Sequence, residues 1–178
     1  RPRACPQEPG GQGLDRLYVA VDYDHGIKKL LRDLKFRGAR RVAPGLGRLA
    51  AEAASRWDFG GCDAVVPVPL SQERRRERGF NQTEAIFGEW VECSGLPWMH
   101  GLLVRIRPTL PQWELSRAER RKNIKGAFVV TRPEEIRGKH ILLLDDIYTT
   151  GATAGECARA LKAAGAARVT GFVLAGAG

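Results

Sequence analysis

Ile141-Leu142-Leu143-Leu144-Asp145-Asp146-Ile147-Tyr148-Thr149-Thr150-Gly151-Ala152-Thr153 is the stretch that decides how this 178-residue chain folds. Four bulky apolar residues run directly into two carboxylates with no polar alternation, which predicts a strand buried on both faces of a parallel sheet. A hydroxyl- and glycine-bearing turn follows, then Ala154, Cys157, Ala158 and Leu161 at helical spacing. Open α/β sheets place their ligands at the carboxyl ends of such strands. There Thr149, Thr150, Gly151, Ala152 and Thr153 offer backbone N–H groups and hydroxyls to a phosphate at a helix N-terminus. Asp145 and Asp146 suit ribose hydroxyls or a hard cation such as Mg2+. A plainer reading stands beside this one. Adjacent strand residues face opposite ways, so one carboxylate caps a neighbouring turn, and Thr153 with Glu156 forms a capping box that starts the helix.

Working outward, Leu17 to Tyr23 reads as a strand, and Ile27, Leu30, Leu31 and Leu34 as a helix closed by Lys35 and Gly38. Ala43 to Trp57 is a second helix with Pro44 near its start and Leu46, Leu49, Ala50 and Ala53 as its apolar stripe. Its Gly45-x-Gly47-x-x-Ala50 spacing mimics a dinucleotide fingerprint, but Arg40, Arg41 and Pro44 stand where a buried strand is needed. Ala64 to Val68, Leu102 to Ile106, Phe128 to Thr131 and Val169 to Leu174 read as further strands, and Gln82 to Val91 as a helix. Strand and helix alternate through the second half, which predicts a mostly parallel α/β sheet flanked by helices. Residues 107–125 are basic and long for an internal connection, the profile of a functional lid, with Ser116 and Glu119 spaced as a capping box within it.

The net charge is +9, carried by 22 arginines against seven lysines. The arginines cluster at Arg74, Arg75, Arg76 and Arg78 and again at Arg105, Arg107, Arg117, Arg120 and Arg121, which suits a polyanion, whether pyrophosphate or nucleic acid. Only Phe80 and Trp113 lie within these clusters, too few stacking platforms for a typical single-strand binder. Cys5, Cys62, Cys93 and Cys157 form no Cys-x-x-Cys pair, and His25, His100 and His140 complete no zinc spacing, so no zinc is expected and the thiols read as inert. No apolar run reaches bilayer length and the N-terminus carries no apolar signal-peptide core, so no membrane association and a cytoplasmic location are expected.

The run at 141–153, together with Val66-Pro67-Val68-Pro69-Leu70, Arg78-Gly79-Phe80-Asn81-Gln82 and the series Arg107, Gln112, Ser116, Glu119-Arg120-Arg121, Asn123 and Gly126-Ala127-Phe128, resembles the ComF family. These are competence-associated, phosphoribosyltransferase-like proteins that include the GntX type, and the resemblance covers residues 18–174. It implies a type I phosphoribosyltransferase fold with residues 1–60 as an N-terminal hood and 61–178 as the core. It implies that 5-phosphoribosyl-1-pyrophosphate (PRPP) or a related ribose phosphate binds with Mg2+. Asp145 and Asp146 would then contact the ribose hydroxyls or the Mg2+ bridging them, and residues 149–153 the 5-phosphate. Val68, Pro69 and Arg78 fall at the pyrophosphate loop, and Arg107 and Arg120, with Asn123, at the catalytic lid. The acceptor stays unread. Two other functions remain open beside a transferase: a non-enzymatic PRPP or nucleotide binder, and an adaptor for single-stranded DNA or competence proteins.

Overall fold

Strand β5 (His140–Tyr148) is the spine of the molecule. The structure is a computed structural model that describes residues 13–36, 38–59, 61–107 and 117–177, without the side chains of Gln72, Arg117, Ala118, Arg120 and Arg121. β5 pairs in parallel with β6 (Arg168–Gly176) on one side and β2 (Ala64–Pro67) on the other, and β1 (Arg16–Asp22) pairs in parallel beyond β6. The expected strand at 140–144 runs on to Tyr148, because Asp145, Ile147 and Tyr148 stay in register with Val173, Ala175 and Gly176. Both carboxylates therefore belong to the strand itself.

Two apolar layers sandwich this sheet. Leu142, Leu144, Phe172 and Leu174 pack against α1 (His25–Phe36), α2 (Ala43–Ala54) and α4 (Gln82–Ser94). Ile141, Leu143, Val169 and Val173 pack on the other face against α6 (Ala152–Ala163), through Cys157, Ala158 and Leu161. The decoy glycine pattern has a packing reason: a Cβ on Gly47 would sit 2.6 Å from the Ile86 carbonyl oxygen, so the glycine lets α2 and α4 close on each other. The expected stripes are narrower than drawn, since Leu30 and Leu49 are partly exposed.

One boundary changes. Residues 16–22, expected within a hood over the sheet, form its edge strand instead. Leu17 and Val19 fit there because β6 offers Gly171 and Gly176, where added Cβ atoms would approach them to 3.0 and 2.8 Å. Among the described residues before β2, Lys35 of α1 reaches Asp146 near the carboxyl edge of the sheet. A separate antiparallel ribbon joins β3 (Leu103–Arg105) to β4 (Phe128–Val130) beside α5 (Arg117–Ile124). The capping box expected at Ser116 lies outside the described residues.

Candidate active site at the carboxyl edge of the sheet

The loops after β2 and β5 leave toward opposite faces, β2 leading to α3 (Gln72–Arg78) and α4 and β5 to α6. Such a divergence opens a crevice outside the strand ends, the usual ligand position in open α/β sheets. The Val68 N–H donates to the Leu144 carbonyl at 2.9 Å, so the Val68–Pro69 loop lies beside the paired carboxylates. Asn81 fixes the far end of that loop. Its side chain donates to the Val68 carbonyl at 3.3 Å and, as the N-cap of α4, accepts from the Thr83 N–H at 2.9 Å.

Asp145 and Asp146 are both buried and take opposite faces of β5. Asp145 shares its face with α6, where its charge is felt by the buried Cys157 thiol. Its Oδ1 accepts the Asp146 N–H at 2.8 Å. Burial, then the neighbouring Asp146 charge, push its pKa well above the usual carboxylate range. Asp146 faces α1 and α4. Burial would raise its pKa too, but the Lys35 ammonium and bonds from Lys35, Asp145 and Gln82 outweigh burial and hold it low. Two unequal carboxylates, one favouring its proton and one its charge, result from one dipeptide.

A chain of polar contacts joins this pair to the second loop. Arg78, at the end of α3, donates to Gln82 Oε1 at 2.9 Å, and Gln82 in turn helps to hold Asp146 charged. Burial and Arg74 lower the pKa of Arg78 while Asp146 opposes them. Arg78 thus enters the site through Gln82, a residue assigned no role from its place in the sequence. Lys35 was also missed: its place in the last turn of α1 has an ordinary explanation, a cation at the negative end of a helix.

The turn after β5 carries the second half of the site. Gly151 takes the N-cap position of α6 with φ +70°, and no side chain caps the helix from there. Thr153, expected as the N-cap, lies inside α6 instead. Glu156 does not reach back to it, because its carboxylate accepts the Gly126 N–H at 2.7 Å and pairs with Arg159. The Ala152 N–H donates weakly to Thr150 Oγ1 at 3.4 Å. Ala152 is buried, so the turn presents backbone rather than bulk.

The Arg107 guanidinium donates to the Lys125 carbonyl at the end of α5. Arg120 lies in α5 with its side chain outside the described residues. The half-buried Arg105 lies over the Phe128 ring at 6.0 Å, and its electrostatic neighbours include Cys157 and Arg74. At the opposite end of β5 a cavity of about 280 Å³ opens beside Tyr18, Phe59, Cys62, His140 and Thr170. His140 donates from Nδ1 to the Gly61 carbonyl at 3.0 Å and meets Thr170 Oγ1 through Nε2 at 2.8 Å. Burial first, then Asp63 and Asp58, push the Cys62 thiol up to about 11. That end is a satisfied polar network far from the loops just described. No helix among the described residues is long and apolar enough to cross a membrane.

Residues 71–178 match the phosphoribosyl transferase domain family. The DNA utilization protein YhgH of Escherichia coli is 34% identical over 172 residues, covering 93% of this chain and 73% of that protein. Competence protein F of Haemophilus influenzae is 27% identical over 174 residues, covering 95% of this chain and 75% of that protein. Among solved structures, the allosteric regulatory enzyme of purine biosynthesis matches 75% of this chain with a TM-score of 0.50 at 22% identity. The match spans 26% of that enzyme's chain, and the likeness is one of fold.

Proposed function

The chain belongs to the phosphoribosyl transferase domain family, among its ComF-type competence proteins, and from that premise we propose that it binds PRPP with Mg2+ and transfers the phosphoribosyl group. The observation that carries this reading is the polar chain from Arg78 through Gln82 to Asp146, which joins the loop after β2 to the carboxylates of β5. Each loop alone has a structural explanation. Their convergence on one crevice at the carboxyl edge of a parallel sheet is what a sugar bearing phosphates at both ends requires.

In this reading residues Thr149 to Thr153 hold the 5-phosphate on backbone N–H groups, with Gly151 permitting close approach. Asp145 and Asp146 accept the ribose hydroxyls. Val68, Pro69 and Arg78 border the pyrophosphate, and Arg107 and Arg120 approach it when the 107–125 segment closes. The donors on offer for a metal are carboxylate oxygens, the chemistry Mg2+ takes, and Asp145 and Asp146 are the residues to hold it. When bound, Mg2+ neutralises charge on the leaving pyrophosphate. The C1–O bond to pyrophosphate breaks with its electron pair leaving on oxygen, and the acceptor's lone pair makes the new bond at C1. The acceptor then releases its proton. Positioning and electrostatics supply the rate, and no side chain acts as a nucleophile. Calorimetry of PRPP with and without Mg2+ tests this, with Asp145→Asn/Asp146→Asn as control. Mg2+-dependent binding that disappears in the double variant supports the reading. No binding by folded wild-type chain overturns it.

A second reading has its own observation. The fold brings Phe36, 69% exposed, under the Arg78 guanidinium at 5.3 Å, and places Arg40 over Phe80 at 4.5 Å. The sequence showed few aromatics among the basic clusters, and the fold adds one. Arginines interleaved with rings suit single-stranded nucleic acid, in keeping with the names of the relatives. A labelled oligonucleotide whose affinity falls steeply with salt and drops in Phe36→Ala supports this surface. Salt-independent or absent binding removes it.

A further inference from the structure

Lys35 ends its helix turn with its ammonium against Asp146 Oδ2, and both groups are largely withdrawn from water, at 18% and 5% side-chain exposure. Of the two carboxylates, Asp146 is the one held charged, and Lys35 is the largest cause opposing its burial. Around Asp146 stand Gln82 from α4, Arg78 from α3, Tyr23 after β1 and Asp145 from its own strand. Arg78 is engaged by Gln82, and the Tyr23 hydroxyl is kept protonated by burial and then by Asp146. Among the described residues, Lys35 is therefore the cation in direct contact with the carboxylate.

We infer that Lys35 is the resident counter-ion of the carboxylate pair, so that the empty site disfavours a free divalent cation and admits one together with a phosphate-bearing ligand that takes over the ammonium. The inference rests on the donor-site reading above for the assignment of Asp145 and Asp146 to a cation. A divalent ion arriving alone would share Asp146 with an ammonium in contact with it, a like-charge encounter in a poorly hydrated place. Expelling the ammonium without a new partner would leave a desolvated charge unpaired. A pyrophosphate-bearing sugar removes both obstacles, because its anionic oxygens receive the ammonium while the metal takes the carboxylate. The four-carbon lysine stem lets the head move without moving α1. No covalent bond changes; one ion pair is exchanged for two.

The test is Mn2+ binding to the full chain followed by electron paramagnetic resonance, without PRPP. Lys35→Met should bind Mn2+ more tightly than wild type by on the order of tenfold or more, the effect of removing a unit charge close to the ion. Adding Asp146→Asn should abolish that gain, and Lys35→Arg should behave as wild type. Where Lys35→Met lacks the folded circular dichroism signal, Lys35→Gln carries the same expectation. No gain on neutralising Lys35, or an equal gain with arginine, overturns the inference. PRPP calorimetry on wild type judges the donor-site reading separately. A Mn2+ gain without PRPP binding keeps Lys35 as counter-ion and removes the transferase reading; PRPP binding without a Mn2+ gain does the reverse.

Discussion

The Tyr148 hydroxyl stands over the α-carbon of Gly151: a Cβ built there would lie 2.3 Å from that oxygen and 2.6 Å from the ring carbon bearing it. Gly151 also has φ +70°, a left-handed conformation that costs other residues about 1–3 kcal/mol. Gly151→Ala should therefore lower Tm and weaken ribose 5-phosphate binding by more than tenfold, as the turn shifts to clear the ring. Gly151→Ala/Tyr148→Ala removes the clash and leaves the backbone strain, so it should recover stability only in part. Thermal melts and calorimetry on the two variants check this.

Asp145→Asn should raise Tm at pH 7. Burial, then the Asp146 charge, hold the Asp145 pKa well above its ordinary value. A carboxyl raised in this way favours the folded chain while it keeps its proton. That stability is present below the ordinary carboxylate value and is lost as pH rises toward the folded one. Asparagine keeps the oxygen that accepts the Asp146 N–H and carries no charge to desolvate. The gain should shrink toward acid, where Asp145 is protonated as well, and melts from pH 4 to pH 8 would show it. A destabilised variant at neutral pH contradicts the account.

Asn81→Ala removes an N-cap, worth about 1 kcal/mol, and also the bond to the Val68 carbonyl. The second loss separates this residue from an ordinary cap. PRPP affinity should fall further than ribose 5-phosphate affinity, because in the proposed reading the loop being loosened borders the pyrophosphate alone. Equal losses for both ligands would make Asn81 a helix cap and nothing more.

Glu156 ties the end of α5 to α6 through the Gly126 N–H and its pair with Arg159. Burial would raise its pKa, but those two partners together hold it below the usual glutamate value. Its stabilisation is thus present above the ordinary glutamate range and lost as pH falls through the depressed folded value. Glu156→Gln should cost about 1.5–3 kcal/mol at pH 7, the range of a hydrogen bond to a charged group, and almost nothing in strong acid. Urea melts at the two pH values measure the difference.

The parallel sheet was legible because Ile141 to Leu144 and Val169 to Leu174 are buried on both faces, and two-sided burial removes alternation from a strand. The Thr149–Gly151 turn was legible for a related reason, since a glycine among hydroxyls at a strand end has few other uses. Lys35 and Gln82 were not. Each has a sufficient local role, one in a last helical turn and one at a helix start, and only the packing of α1 and α4 on one sheet face brings them to Asp146. The edge position of Leu17 and Val19 was hidden likewise, because it depends on missing side chains at Gly171 and Gly176 in a distant strand. Thr153 and Glu156 had capping-box spacing, yet the competing partner of Glu156 lies in another part of the chain.

Glycine at the start of α6 has a thermodynamic side. A helix normally completes its first turn with an oxygen from its own chain. Here Gly151 brings no side-chain oxygen of its own to the N-cap, so in the proposed reading the phosphate of the ligand adds to what the chain supplies. Folding and occupancy are then linked: inorganic phosphate alone, at concentrations above its dissociation constant, should raise the melting temperature of the whole molecule, and the chain would be most vulnerable to proteolysis when its cargo is scarce.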